Sequence, residues 1–90
     1  MAQASSDLLV TLPDHVDLHA RPAADFVRTA LGFESSITVA TGDGEADAKS
    51  LLAVLALGAK AGTDLRLSAD GPDAPAALDA MSACVAALTD

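Results

Sequence analysis

Six consecutive residues, Leu18-His19-Ala20-Arg21-Pro22-Ala23, hold a histidine and an arginine two positions apart at the point where the pattern turns helical. From Arg21 to Gly32 the residues Ala23, Val27, Ala30 and Leu31 recur on one face with Phe26 beside them, the spacing of an amphipathic helix. Pro22 suits its first turn, where a missing N–H costs nothing, and Gly32 is a natural stop. His19 therefore stands at a helix mouth, where amides without intrahelical partners and the positive end of the dipole favour an anion. The amides of Ala20 and Arg21 can face an anion held on the His19 ring, and the Arg21 guanidinium can add charge-assisted bonds to phosphate oxygens. Imidazole is a good nucleophile near neutral pH. Together these groups describe a phosphohistidine site. The same residues also fit a plainer arrangement, a solvated histidine followed by a surface arginine, and spacing alone leaves both open.

The elements that must position this segment are short. Residues 7–12 place Leu8, Val10 and Leu12 at period two and predict a half-buried strand ended by Pro13 and Asp14. The stretch from Asp14 to Ala20 has no sustained period and reads as a loop. A second strand runs from Ser36 to Ala40 through Ile37 and Val39, and the two-glycine turn Thr41–Gly44 leads into a weak edge strand. Ser50–Leu57 is a short apolar helix ended by Gly58; Leu65, Leu67 and Ala69 mark another strand. After the turn Asp70–Pro72, Asp73 is the expected cap of a last helix with Leu78, Met81, Val85 and Leu88 on one face. This order predicts a two-layer α/β (α+β) open-faced sandwich: a four-stranded antiparallel sheet with three helices on one face. No linker or repeat divides residues 1–90, which read as a single domain.

Composition narrows the function. Thirteen acidic against five basic side chains leave a net charge of −8. That argues against nucleic acid and anionic membrane surfaces as partners, because both are held by arrays of Lys and Arg. From Leu18 to Phe33, however, the charged residues are Arg21, Arg28 and Asp25, a small basic island, and Arg21 and Arg28 are seven apart on one helical face. The single cysteine, Cys84, permits neither an internal disulfide nor a cysteine zinc cage, which suits a reducing cytoplasm, and reads as a small core residue. No apolar run approaches a membrane span, so no membrane insertion is expected. His15 and His19 are four apart, but Val16-Asp17-Leu18 lies ahead of the helix, so a metal pair is not expected and His15 reads as a solvated loop residue.

The segment from His19 to Ala24, followed by Phe26-Val27-Arg28, resembles the active-site segment of the histidine-containing phosphocarriers (HPr) of the bacterial sugar phosphotransferase system. A second block, Ala48-Lys49-Ser50-Leu51-Leu52 through Leu57-Gly58, is similar to that family's regulatory-serine segment. The resemblance extends from about Asp7 to Leu88 and keeps the family's element order. It implies that His19 accepts a phosphoryl group on Nδ1 from Enzyme I and passes it to enzyme IIA domains. Arg21 and the backbone of Ala20 and Arg21 would stabilise the group in transit. No cofactor or metal is implied; the protein would be a monomeric, stoichiometric carrier, not an enzyme turning over alone. Ser50 would be a possible target of HPr kinase/phosphorylase, although serine at a helix start is equally a good N-cap. Ala20, Pro22, Arg28, Leu51, Leu52 and Leu55 would dock the partners, the leucines through partial exposure.

Family variants serving nitrogen regulation or dihydroxyacetone phosphorylation share both blocks. A non-transferring regulatory interaction domain on a similar scaffold is the alternative of a different class. An acylphosphatase-like hydrolase fits less well, since the chain has no asparagine and only Gln3 as an amide side chain. Three positions depart from the family pattern: Asp17 replaces a common glycine, Val16 a small polar residue, and Leu31 a basic one. A carboxylate at position 17 opposes an incoming phosphoryl unless it points away. Asp25, four residues after Arg21, is a candidate to pair with it on the helix.

Overall fold

A computed structural model describes residues 4–89. Its elements run β1 (Ala4–Thr11), α1 (Ala20–Leu31), β2 (Ser36–Thr41), β3 (Gly44–Asp47), α2 (Leu51–Leu57), β4 (Asp64–Gly71) and α3 (Ala74–Ala87). The strands form one antiparallel sheet in the order β1-β4-β2-β3, and the three helices cover one face, as the expected open-faced sandwich requires. Period-two patterning sets this arrangement. On β4, Leu65, Leu67 and Ala69 are buried while Asp64, Arg66 and Asp70 face water. The register continues the division sideways: Val39 lies opposite Leu67, and Ala40 opposite Arg66. Leu8 and Val10 point to the covered side but are only half-buried, because β1 is an edge strand; Leu9, paired with Arg66, is exposed on the open face.

The core between sheet and helices is small and aliphatic, with Phe26, Leu12, Leu18, Ile37, Leu65, Leu67 and Met81 its largest buried side chains. Helix α1 contributes Pro22, Ala23, Phe26, Val27 and Ala30. Leu31, expected on the same face, is instead 60% exposed. It is the last helical residue, and at 3.6 residues per turn it falls to the side of the stripe that Ala23, Phe26, Val27 and Ala30 bury. Helix α3 buries Leu78, Met81 and Val85, and Leu88 just beyond it is buried too. Cys84, read as a core residue, is only half-buried, its thiol 3.8 Å from the Asp25 carbonyl.

Two helix starts differ in how they are held. Ser50 caps α2 as expected, its hydroxyl accepting from the Ala53 amide at 3.2 Å, and Gly58 ends that helix in the left-handed conformation (φ +64°). Asp73 does not cap α3 with its side chain. Its carboxylate turns to the start of β2, where it accepts from the amides of Glu34 (3.0 Å) and Ser35 (2.9 Å) and from the Ser35 hydroxyl. The Ser35 hydroxyl in turn accepts from the Asp73 amide at 3.2 Å. The competing donors outside α3 win because they number three and ring one carboxylate. They hold the Asp73 pKa down at about 2, the Ser35 hydroxyl contributing most.

Candidate phosphoryl-carrying site

The site is built where the β1–α1 loop meets the loop between α2 and β4. Four hydrogen bonds stitch the two loops together. The Leu12 amide donates to Thr63 O (2.9 Å), Gly62 to Pro13 O (3.2 Å), Leu18 to Ala59 O (2.9 Å), and Ala61 to the Asp17 carboxylate (2.7 Å). Between them the chain alternates: Val16 and Leu18 are fully buried, while Asp17 and His19 point outward. Val16 is thus a hydrophobic anchor for the loop, and Asp17 a latch spent on Ala61. The loop was expected to lack a pattern, yet this two-residue alternation is present in the sequence; four residues are too few to stand out without knowing that both flanks are pinned.

His19 is the N-cap residue of α1, with extended backbone (φ −148°, ψ 163°), and its side chain makes no capping bond. The ring is left exposed, while the His19 carbonyl accepts from the Ala23 amide at 3.3 Å. Because Pro22 has no N–H, the first turn has only the Ala20 and Arg21 amides to offer an anion. Ala20, between His19 and Arg21, has φ +48°, a left-handed conformation that costs an L-residue roughly 1–2 kcal/mol. The strain is thus stored between the two candidate phosphoryl-handling residues.

His19, Arg21, Ala20 and Pro22 line one open basin of about 520 Å³ with His15, Asp17 and Ala61. A second basin of about 270 Å³ also reaches His19 and is lined further by Asp17, Leu18, Leu55, Gly58, Ala59 and Lys60. Arg21 is exposed and unpaired by Asp25, which instead binds Arg28 at 2.9 Å. An i, i+3 pair on the outer face satisfies Asp25, and the Arg21 charge stays available to the basin.

The residues expected to dock partners separate by burial. Ala20, Arg28, Leu51 and Leu52 are exposed, Leu52 to 80%, and Leu55 is half-buried at the rim of the second basin. Pro22 is buried, so it offers a basin wall and little docking surface. Leu31 is a further exposed apolar residue, and the Lys49 ammonium, donating to Phe33 O at 2.7 Å, ties the segment after α1 to the entry of α2. Ser50 is half-buried, one residue before Leu51.

Fold and basin define a class: a small open-faced α/β protein that presents a histidine and an arginine from one helix mouth. Residues 8–87 match the family described as PTS HPr component phosphorylation site. The chain is 45% identical over 71 residues to the phosphocarrier protein HPr of Haemophilus influenzae, covering 79% of this chain and 84% of that one. It is 49% identical over 72 residues to a multiphosphoryl transfer protein of Xanthomonas campestris, covering 80% of this chain but 9% of that much longer protein. The crystal structure of HPr-C-His from Thermoanaerobacter tengcongensis superposes with a TM-score of 0.86 at 34% identity, over 90% of this chain and 91% of that one. The chain belongs to the HPr family, the phosphocarriers of the phosphotransferase system.

Proposed function

We propose that His19 is the residue on which this chain carries a phosphoryl group, received from the phosphohistidine of Enzyme I and delivered to a histidine of an enzyme IIA domain. The observation that carries this reading is the shared basin at the mouth of α1: an exposed imidazole, a guanidinium without an ion-pair partner among the described residues and two first-turn amides around one space open to a partner. In the transfer, the P–N bond of the donor breaks as a P–N bond to His19 forms, and the donor imidazole takes back its electron pair. The imidazole loses little and gains little, so the work is positioning and charge stabilisation, which falls to Arg21 and to the Ala20 and Arg21 amides.

Docking is assigned to Leu51, Leu52 and Leu55, with Ala20 and Arg28 around His19. An exposed apolar patch beside a basic island suits partners whose own surfaces are apolar and acidic. The protein acts as one domain, as a monomer in the cytoplasm, and turns over only with its partners. Ser50 is a secondary site for an HPr kinase/phosphorylase, its phosphate falling beside the docking leucines.

Mixing the protein with phosphoenolpyruvate and purified Enzyme I should give an acid-labile, alkali-stable phosphate that His19→Ala abolishes. His19→Ala should fold normally, since the exposed ring makes no capping bond. Label retained in that variant would move the site elsewhere. Arg21→Glu should accept phosphate far more slowly with an unchanged melting temperature; an unchanged rate would remove Arg21 from the role.

A further inference from the structure

His15 has no part in the carrier reading, and the loop pattern makes it a solvated residue. The structure does expose it, but in a defined place: it lines the same basin as His19 and Arg21. Its backbone is held there. The Val16 amide closes a turn onto Pro13 O at 3.2 Å with Asp14 and His15 at its tip. Pro13 O also receives the Gly62 amide, and Val16 is anchored in the core.

The basin holds one side-chain donor that the carrier reading leaves unused. A phosphoryl group on His19 brings negative charge and three acceptor oxygens. Pro22 has no N–H, and the Ala61 amide is already spent on Asp17. The Asp17 carboxylate lines the basin, offsets the Arg21 charge, and can donate nothing. The titratable groups sharing the space with His15 are Asp17, His19 and Arg21; Lys60 lines the adjoining basin. His15 is therefore the one remaining side chain of the basin that can both donate and become cationic.

We propose that His15 is a second phosphoryl-binding side chain, whose imidazole donates to an oxygen of the phosphoryl group on His19 and makes the carrier's hold on that group stronger as His15 gains its proton. The proposal rests on His19 being the acceptor. It adds a pH-dependent element to a site whose other cation, Arg21, keeps its charge at every physiological pH.

The test uses phosphoramidate, which phosphorylates histidine without a protein partner: its P–N bond breaks, ammonia leaves, and a P–N bond to His19 forms. The ³¹P resonance of the phosphorylated protein is then followed from about pH 5 to about pH 9, a window spanning the ordinary titration of imidazole. Wild type should show the phosphohistidine's own titrations, of its phosphoryl oxygens and of its free ring nitrogen, plus one further step, and His15→Gln should lose that further step. His15→Lys should lose it too, leaving only the phosphohistidine's own titrations. With Enzyme I, His15→Gln should lower the phosphorylation equilibrium roughly threefold at about pH 6, and less at about pH 8, the scale of one exposed charge-assisted contact. Identical ³¹P titrations in wild type and His15→Gln would overturn the proposal, as would phosphate found on His15 itself. Failure of the carrier reading looks different: His19→Ala would still be labelled, or wild type would take no label from Enzyme I.

Discussion

The Asp17 carboxylate accepts the Ala61 amide at 2.7 Å, joining the loop that carries His19 to the loop that precedes β4. A residue expected to repel the phosphoryl group is thereby also a brace for the residue that would hold it. Its charge still lines both basins beside His19, so bracing and repulsion act together.

Removing that brace has a calculable cost. Asp17→Ala should destabilise the fold by about 1 kcal/mol, the net worth of a surface hydrogen bond to a charged acceptor less solvent compensation. Asp17→Asn, which keeps an acceptor, should cost less. Urea unfolding of the three proteins measures the difference; equal midpoints would show that the loop holds without the bond.

Ser50 separates capping from regulation. Ser50→Ala should lose about 1 kcal/mol through the lost bond to Ala53, whereas Ser50→Asp keeps an N-cap acceptor and adds charge at the favourable end of the dipole. Phosphorylation there should therefore leave α2 folded and act on docking through charge beside Leu51 and Leu52. Titration of Enzyme I against both variants checks this. Weaker binding is expected for Ser50→Asp only, with melting curves showing the stability loss for Ser50→Ala only.

The clamp of Asp73 on Glu34 and Ser35 makes stability fall in acid. With its folded pKa held at about 2, below the ordinary aspartate value of 3.8, the contribution of Asp73 is complete above about pH 4. It is lost as the pH falls toward 2, because the unfolded chain takes up the proton first. The stability gap between wild type and Asp73→Asn should therefore narrow across that window. A gap constant from pH 6 to pH 2.5 by urea unfolding would contradict the clamp.

Gly71 closes the same corner. A Cβ there would stand 2.6 Å from the Ser35 Cα, and the backbone has φ +153°. Gly71→Ala should cost more than about 2 kcal/mol, since backbone strain and overpacking add. Gly42→Ala meets nothing within 4 Å and serves as the control in the same thermal melts.

Much of the candidate site was legible along the chain because its signals are local. A histidine just before a helix, an arginine two residues on and a proline in the first turn lie within four positions, and a serine before an apolar helix declares its cap. The strands and helices were legible for the same reason, since burial on one face imposes periods of two and 3.6 on consecutive residues. Margins were less so: Leu31 kept the helical spacing but falls to the side of the buried stripe and is exposed.

What the amino-acid order by itself determined was the set of elements, the apolar faces and the His19–Arg21 pair. Choices among partners were left to the tertiary structure. Asp25 had both Arg21 and Arg28 within helical reach and took Arg28; Asp73 had a helix of its own to cap and took Glu34 and Ser35; Asp17 took Ala61. His15 reached the basin only because a turn and a buried valine hold it there. A carboxylate or an imidazole is satisfied by whichever donor or anion the folded chain brings within about 3 Å, and for Asp17 and Asp73 those donors lie 38 or more residues away. Local spacing carries no information about them.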